Sequence, residues 1–142
     1  MNSFDKVIGY KSIKRELLQI CDMIRNRTVY EKMGARLPHG LLLYGDPGLG
    51  KSLLANCFME ECGLNTVTVR RDKGGDAFIN SIAQAFAKAK EEAPSVLLLD
   101  DMDKFANEDS SRCDAPEYVA VQAGIDDVKE TAVFVIATAN EI

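Results

Sequence analysis

Leu41-Leu42-Leu43-Tyr44-Gly45-Asp46-Pro47-Gly48-Leu49-Gly50-Lys51-Ser52 is the stretch that decides the fold. Its first four residues form a short apolar run that reads as a buried strand, of a length suited to a parallel sheet. Gly45 and Gly50, with Lys51 and Ser52 directly after them, have the spacing of a phosphate-binding loop. Glycine is required there because backbone N–H groups must turn inward around an anion, in conformations that a Cβ opposes. A helix is expected from Lys51 to about Cys62, and its N-terminus places positive partial charge where the anion sits. Gly63 stands where a left-handed residue closes such a helix. The bland alternative, a glycine-rich turn with a solvated lysine, reaches this spacing by accident in about half a percent of chains this long. The strand before it and the helix after it lower that figure further.

In such a loop the backbone of Asp46, Pro47, Gly48, Leu49 and Gly50 cradles the phosphates of ATP, with Leu53 just behind in the helix. Lys51 is expected to reach the β- and γ-phosphates, and Ser52 to offer its hydroxyl to Mg²⁺.

Working outward, Ile13, Leu17, Ile20 and Ile24 recur at helical spacing among charged residues, an amphipathic helix that opens near Ser12. Gly34 and Pro38 break the chain before the first strand. Thr66 to Val69 reads as a second strand. Phe78, Ile79, Ile82, Phe86, Ala89 and Ala93 stripe a longer helix that Pro94 stops. Val96 to Leu99 is the third strand, Pro116 to Gly124 a short helix, and Val133 to Ile136 the fourth strand. Strands and helices alternate throughout, the pattern of a parallel sheet with helices on both faces.

Two of these strands end in polar side chains, where ligands bind in open α/β sheets. After Leu99 come Asp100 and Asp101. Asp100 is expected to face Mg²⁺, and Asp101 to orient or deprotonate the attacking water. Asn140 follows the fourth strand, where an amide can hydrogen-bond the γ-phosphate or that water.

Phosphate loop (45–52), acidic strand end (96–101) and the Asn140-tipped strand occur in the order of the Walker A, Walker B and sensor 1 elements, and the chain resembles the AAA ATPases. Val7-Ile8-Gly9 is similar to the segment whose backbone contacts adenine in that family, which assigns Ile8 and Gly9 to the nucleotide. Residues 33–40 resemble its lead into the first strand, and the closest subgroup is the AAA proteases and related unfoldases. The resemblance implies a three-layer α/β/α P-loop NTPase fold over residues 1–142, a partial large subdomain. It implies ATP and Mg²⁺ as ligands, a hexameric ring in the full-length protein, and work on a protein substrate.

Three departures qualify it. Asp101 stands where the family usually has Glu, so slow hydrolysis with intact ATP binding is expected. The loop from Arg70 to Phe78 has no aromatic residue before Phe78, although threading members carry one there. That position falls near Gly74, unless Phe78 serves; the alternative is that Phe78 is a core residue opening its helix. The chain stops just after Asn140, before a fifth strand, arginine fingers and a helical lid. Under the implied strand order 5-1-4-3-2, Leu41 to Tyr44 then forms an open edge, and self-association of the chain is expected.

The two functions considered are an ATP-hydrolysing motor subunit and a nucleotide-dependent switch or loader in which binding orders an assembly. A net charge of -5 opposes a phosphate backbone and makes nucleic acid an unlikely partner. Cys21, Cys57, Cys62 and Cys113 form no CxxC, and His39 is remote in sequence, so buried thiols are expected rather than a zinc site. Met1 to Tyr10 lacks the apolar run of a signal peptide and no stretch reaches membrane-spanning length, so a cytoplasmic setting is expected. Arg70-Arg71 reads as a solvated strand end, and Arg112 as a solvated residue of an acidic segment.

Overall fold

A computed structural model describes residues 11–34, 40–45, 50–70, 75–101, 116–128 and 131–139. The elements run α1 (Lys11–Arg25), α2 (Arg27–Lys32), β1 (Gly40–Tyr44), α3 (Lys51–Cys62), β2 (Asn65–Val69), α4 (Gly75–Glu91), β3 (Ser95–Leu99), α5 (Pro116–Val128) and β4 (Val133–Ala139). All strand pairs are parallel, and the sheet order is β1-β4-β3-β2. Each strand therefore returns through a helix, as the alternation in the sequence requires.

The period of two along a strand splits the core into two layers. Val96, Leu98, Phe134 and Ile136 face Leu17, Cys21, Leu54, Cys57, Phe58 and Cys62 of α1 and α3. The alternating set, Leu97, Leu99, Val133, Val135 and Ala137, faces Phe78, Ile82, Phe86 and Ala89 of α4 and Val121 and Val128 of α5. This is the expected three-layer α/β/α arrangement. Every residue of β3 and β4 is buried, which is why these strands read as continuous apolar runs.

Several expectations are corrected. The run Leu41 to Leu43 is not a fully buried strand; in keeping with the implied order 5-1-4-3-2, β1 is the sheet edge among the described residues, with Leu42 and Tyr44 exposed. In α1 the fully buried positions are Leu17 and Cys21, while Ile13 is exposed. The short helix α2 carries no buried residue, so it leaves no apolar stripe in the sequence. Helix α5 does not end at Gly124 but runs on to Val128. Gly124 is buried against α4, where an added Cβ would meet Phe86 Cδ2 at 2.2 Å. A glycine that resembles a stop is thus a point of close helix approach. Phe78 is fully buried in the core beside Ile82, so the core reading of this residue holds. Gly74, the other pore-loop position, lies outside the described residues.

Candidate functional site

Because the strands are parallel, their carboxyl ends share one edge, and the register fixes which residues meet there. Val69 pairs with Leu99, and Leu99 with Ala137. The next residue on each strand is Arg70, Asp100 and Thr138, so these three stand side by side. Tyr44 pairs with Ala139, and the Gly45 N–H donates to the Ala139 carbonyl at 3.2 Å, which seats the start of the loop at the same edge.

The loop re-enters the description at Gly50, which caps α3 in a left-handed conformation (φ 80°) that glycine adopts without strain. Helix α3 starts at Lys51, with no side-chain cap at its N-terminus. The Lys51 ammonium donates to the Gly45 carbonyl at 2.8 Å, so the two ends of the loop are tied across its mouth. Ser52 in the same turn donates its hydroxyl to Asp100 Oδ1 at 2.9 Å. Leu53 is exposed on that turn.

Asp100 accepts three side-chain hydrogen bonds at this edge. Its side chain is only 5% exposed. Oδ1 accepts from Ser52 and, at 2.8 Å, from the buried Thr138 hydroxyl; Oδ2 accepts from Arg70 Nε at 3.0 Å. Burial pushes the carboxyl pKa up, but the bonds from Thr138, Ser52 and Arg70 outweigh it and hold the group below its ordinary value. The site is therefore a buried carboxylate, ionised at neutral pH.

Asp101 has a left-handed backbone (φ 54°), one of the few places where a non-glycine residue is found there and one that Asp tolerates better than most. The bond from its N–H to Thr138 Oγ1 at 2.9 Å holds the turn. Thr138 thus accepts from the Asp101 backbone and donates to the Asp100 carboxylate, fixing that carboxylate and the Asp101 main chain relative to β4.

Ser52 and Asp100 bring a hydroxyl and a carboxylate together, the hard oxygen donors that suit Mg²⁺. The phosphate-loop ends, Ser52, Asp100 and Asp101 lie at one edge of the sheet. Ile8, Gly9, Asp46, Pro47, Gly48, Leu49 and Asn140 lie outside the described residues, as do His39 and Arg112. Sequence reasoning overlooked Thr138 because a threonine inside an apolar strand gives no sign of its partners. It also took Arg70 for a solvated strand end, whereas its guanidinium bonds Asp100. The strand order was the only available signal, since it makes the tips of β2 and β3 neighbours.

A sequence model described as "ATPase family associated with various cellular activities (AAA)" matches residues 41–142. The chain belongs to the AAA ATPase family. Among similar proteins, an ATP-dependent zinc metalloprotease FtsH of Leptotrichia buccalis is 36% identical over 104 residues, covering 70% of this chain and 14% of its own. The FtsH of Mycoplasma pneumoniae is 31% identical over 151 residues, covering 98% of this chain and 21% of its own. The chain therefore spans about a fifth or less of the length of these relatives. In structure it resembles the AAA domain of FIGL-1, crystallised with ADP, with a TM-score of 0.78, 23% identity, and coverage of 96% of this chain and 48% of that one. At that identity the likeness establishes the AAA fold.

Proposed function

We propose that this chain is the nucleotide-binding portion of an ATPase that binds Mg-ATP at the carboxyl edge of its sheet and hydrolyses it to drive remodelling of a protein substrate. The observation that carries the proposal is the pairing of Ser52, in the first turn after the glycine loop, with the buried Asp100 carboxylate at the tip of β3. No structural demand of the core requires an ionised carboxylate there, and metal-nucleotide binding does.

The division of labour follows from position. Main-chain N–H groups of Asp46, Gly48, Leu49 and Gly50, together with the α3 N-terminus, bind the phosphates. Lys51 leaves the Gly45 carbonyl to pair with the β- and γ-phosphates. Ser52 and Asp100 would hold Mg²⁺, which would supply positive charge to neutralise the phosphates. Asp101, whose backbone N–H is held by Thr138, orients the attacking water or takes its proton, and Asn140 contacts the γ-phosphate or that water. Catalysis is then mostly positioning and charge stabilisation. Family membership supports a homo-oligomeric ring, with ATP between subunits, and a cytoplasmic setting fits the composition.

The second reading, a switch or loader that acts through binding alone, is favoured by one observation. Asp101 is a short carboxylate on a left-handed backbone, a constrained base. In related phosphoryl transfers an arginine supplied in trans is worth roughly 10³ to 10⁵ in rate, so the isolated chain is expected to bind nucleotide with little turnover. Calorimetric titration with Mg-ATP tests the binding. Lys51→Ala should weaken it by roughly tenfold to a hundredfold, and equal affinity of the variant would sink the assignment. Turnover of the complete protein, with and without an unfolded substrate, separates motor from switch.

A further inference from the structure

We propose that Arg70 is a built-in counter-cation that occupies Asp100 when no metal is bound and competes with Mg²⁺ for that carboxylate. The inference rests on the Mg-nucleotide reading above and adds to it a residue that sets metal affinity.

The argument begins with the asymmetry of the ion pair. The Asp100 side chain is 5% exposed and that of Arg70 is 58% exposed. A buried carboxylate left without a cation is strongly destabilising, while an exposed arginine loses little on returning to water. Asp100 therefore needs a positive partner at all times, and Arg70 can leave whenever another one arrives.

The two oxygens of the carboxylate have different duties. Oδ1 is held by neutral hydroxyls, Ser52 at 2.9 Å and Thr138 at 2.8 Å, which fix its position without neutralising it. Oδ2 has the charged partner, Arg70 Nε at 3.0 Å. The fold places the two residues side by side. Val69 and Leu99 are register partners, and the Asp100 N–H donates to the Val69 carbonyl at 2.9 Å, so the residue after β2 lies against the residue after β3. An uncharged residue at position 70 would leave the same carboxylate without its cation. Metal binding must then break an existing charge-assisted bond, so Arg70 raises the Mg²⁺ concentration that nucleotide binding requires.

The test measures ADP binding to this chain by fluorescence of a labelled ADP while Mg²⁺ is titrated, in the wild type, Arg70→Ala, Arg70→Lys and Lys90→Ala. Lys90 removes the same charge from the far end of α4, where it pairs with Asp127 at 3.3 Å. The half-saturating Mg²⁺ concentration is expected to fall about fivefold in Arg70→Ala. A smaller fall is expected in Arg70→Lys, which keeps the charge but loses the planar donor. Lys90→Ala should leave it unchanged. In a proton–nitrogen correlation spectrum the Arg70 Nε–H signal should move on adding Mg·ADP but not ADP with a chelator. An unchanged or raised midpoint in Arg70→Ala, an equal fall in Lys90→Ala, or an unmoved Arg70 signal overturns the proposal. Should ADP bind under no condition, the nucleotide reading itself falls. The response of the Arg70 signal to Mg²⁺ alone then decides the competition, movement supporting it and no movement overturning it.

Discussion

Replacing Thr138 by Val tests whether one buried hydroxyl holds the Asp100 carboxylate and the Asp101 backbone together. Valine keeps the branched shape inside β4 but removes an acceptor and a donor at once. The lost bonds are Asp101 N–H to Thr138 Oγ1 at 2.9 Å and Thr138 Oγ1 to Asp100 Oδ1 at 2.8 Å. A hydrogen bond to a charged group contributes about 1.5 to 3 kcal/mol, and a buried amide left without an acceptor costs about 1 to 3 kcal/mol. Asp101 is only half-buried, so water can satisfy part of its N–H, and the expected loss is about 2 to 4 kcal/mol. Thr138→Ser is the matched control. It keeps both bonds and removes one methyl group, worth about 1 kcal/mol. Urea unfolding of the two variants, extrapolated to water, gives the comparison directly. Valine should be the more destabilising by at least about 1 kcal/mol, and it should also weaken Mg-ADP binding, because Asp100 loses one of its two hydroxyl anchors. If Thr138→Val is as stable as Thr138→Ser, the hydroxyl does not bridge the two turns and the description of the site is wrong.

Further outcomes follow from other contacts. Gly124→Ala puts a Cβ 2.2 Å from Phe86 Cδ2, so overpacking of about 1 to 3 kcal/mol opposes a helix-propensity gain of about 1 kcal/mol. A net loss in thermal stability is expected, and an increase would mean that α4 and α5 do not meet there. Asp101→Glu restores the longer carboxylate at a left-handed position (φ 54°), where it should cost about 1 kcal/mol of stability and raise ATP turnover in the complete protein. Unchanged or lower turnover would remove side-chain length as the reason for slow hydrolysis. Cys21 and Cys62 lie buried with sulfurs 3.2 Å apart, and their hydrogen bond holds the Cys62 thiol below and the Cys21 thiol above the ordinary range. Each thiol is only 2% exposed, so oxidised glutathione should react slowly and, on local opening, form a mixed disulfide at one of them that the other resolves, releasing two glutathione thiols and joining α1 to α3. Peptide mapping by mass spectrometry checks this, and a cross-link through Cys57 instead would contradict the geometry.

Local signals made most of the architecture legible. Short apolar runs identified most of the strands and helical spacing identified the long helices, because a strand covered on both faces is apolar at every position and a helix only along one stripe. The glycine-lysine-serine spacing fixed where a phosphate tail would bind, since that chemistry depends on neighbouring residues. Gly63 was read correctly as a helix end, being left-handed at φ 65°, while Gly124 was misread, because close approach to Phe86 is a property of two helices.

Composition and spacing by themselves determined the fold class, the loop and the acidic strand end. They could not determine what Asp100 touches. Its partners Ser52, Arg70 and Thr138 come from α3, the end of β2 and β4, and are separated from it in sequence by 48, 30 and 38 residues. Parallel pairing brings Arg70 and Thr138 beside it, and the loop after β1 carries Ser52 to the same edge; hydrogen-bond register sets which strand tips are adjacent, and register is a relation between segments that no single segment encodes.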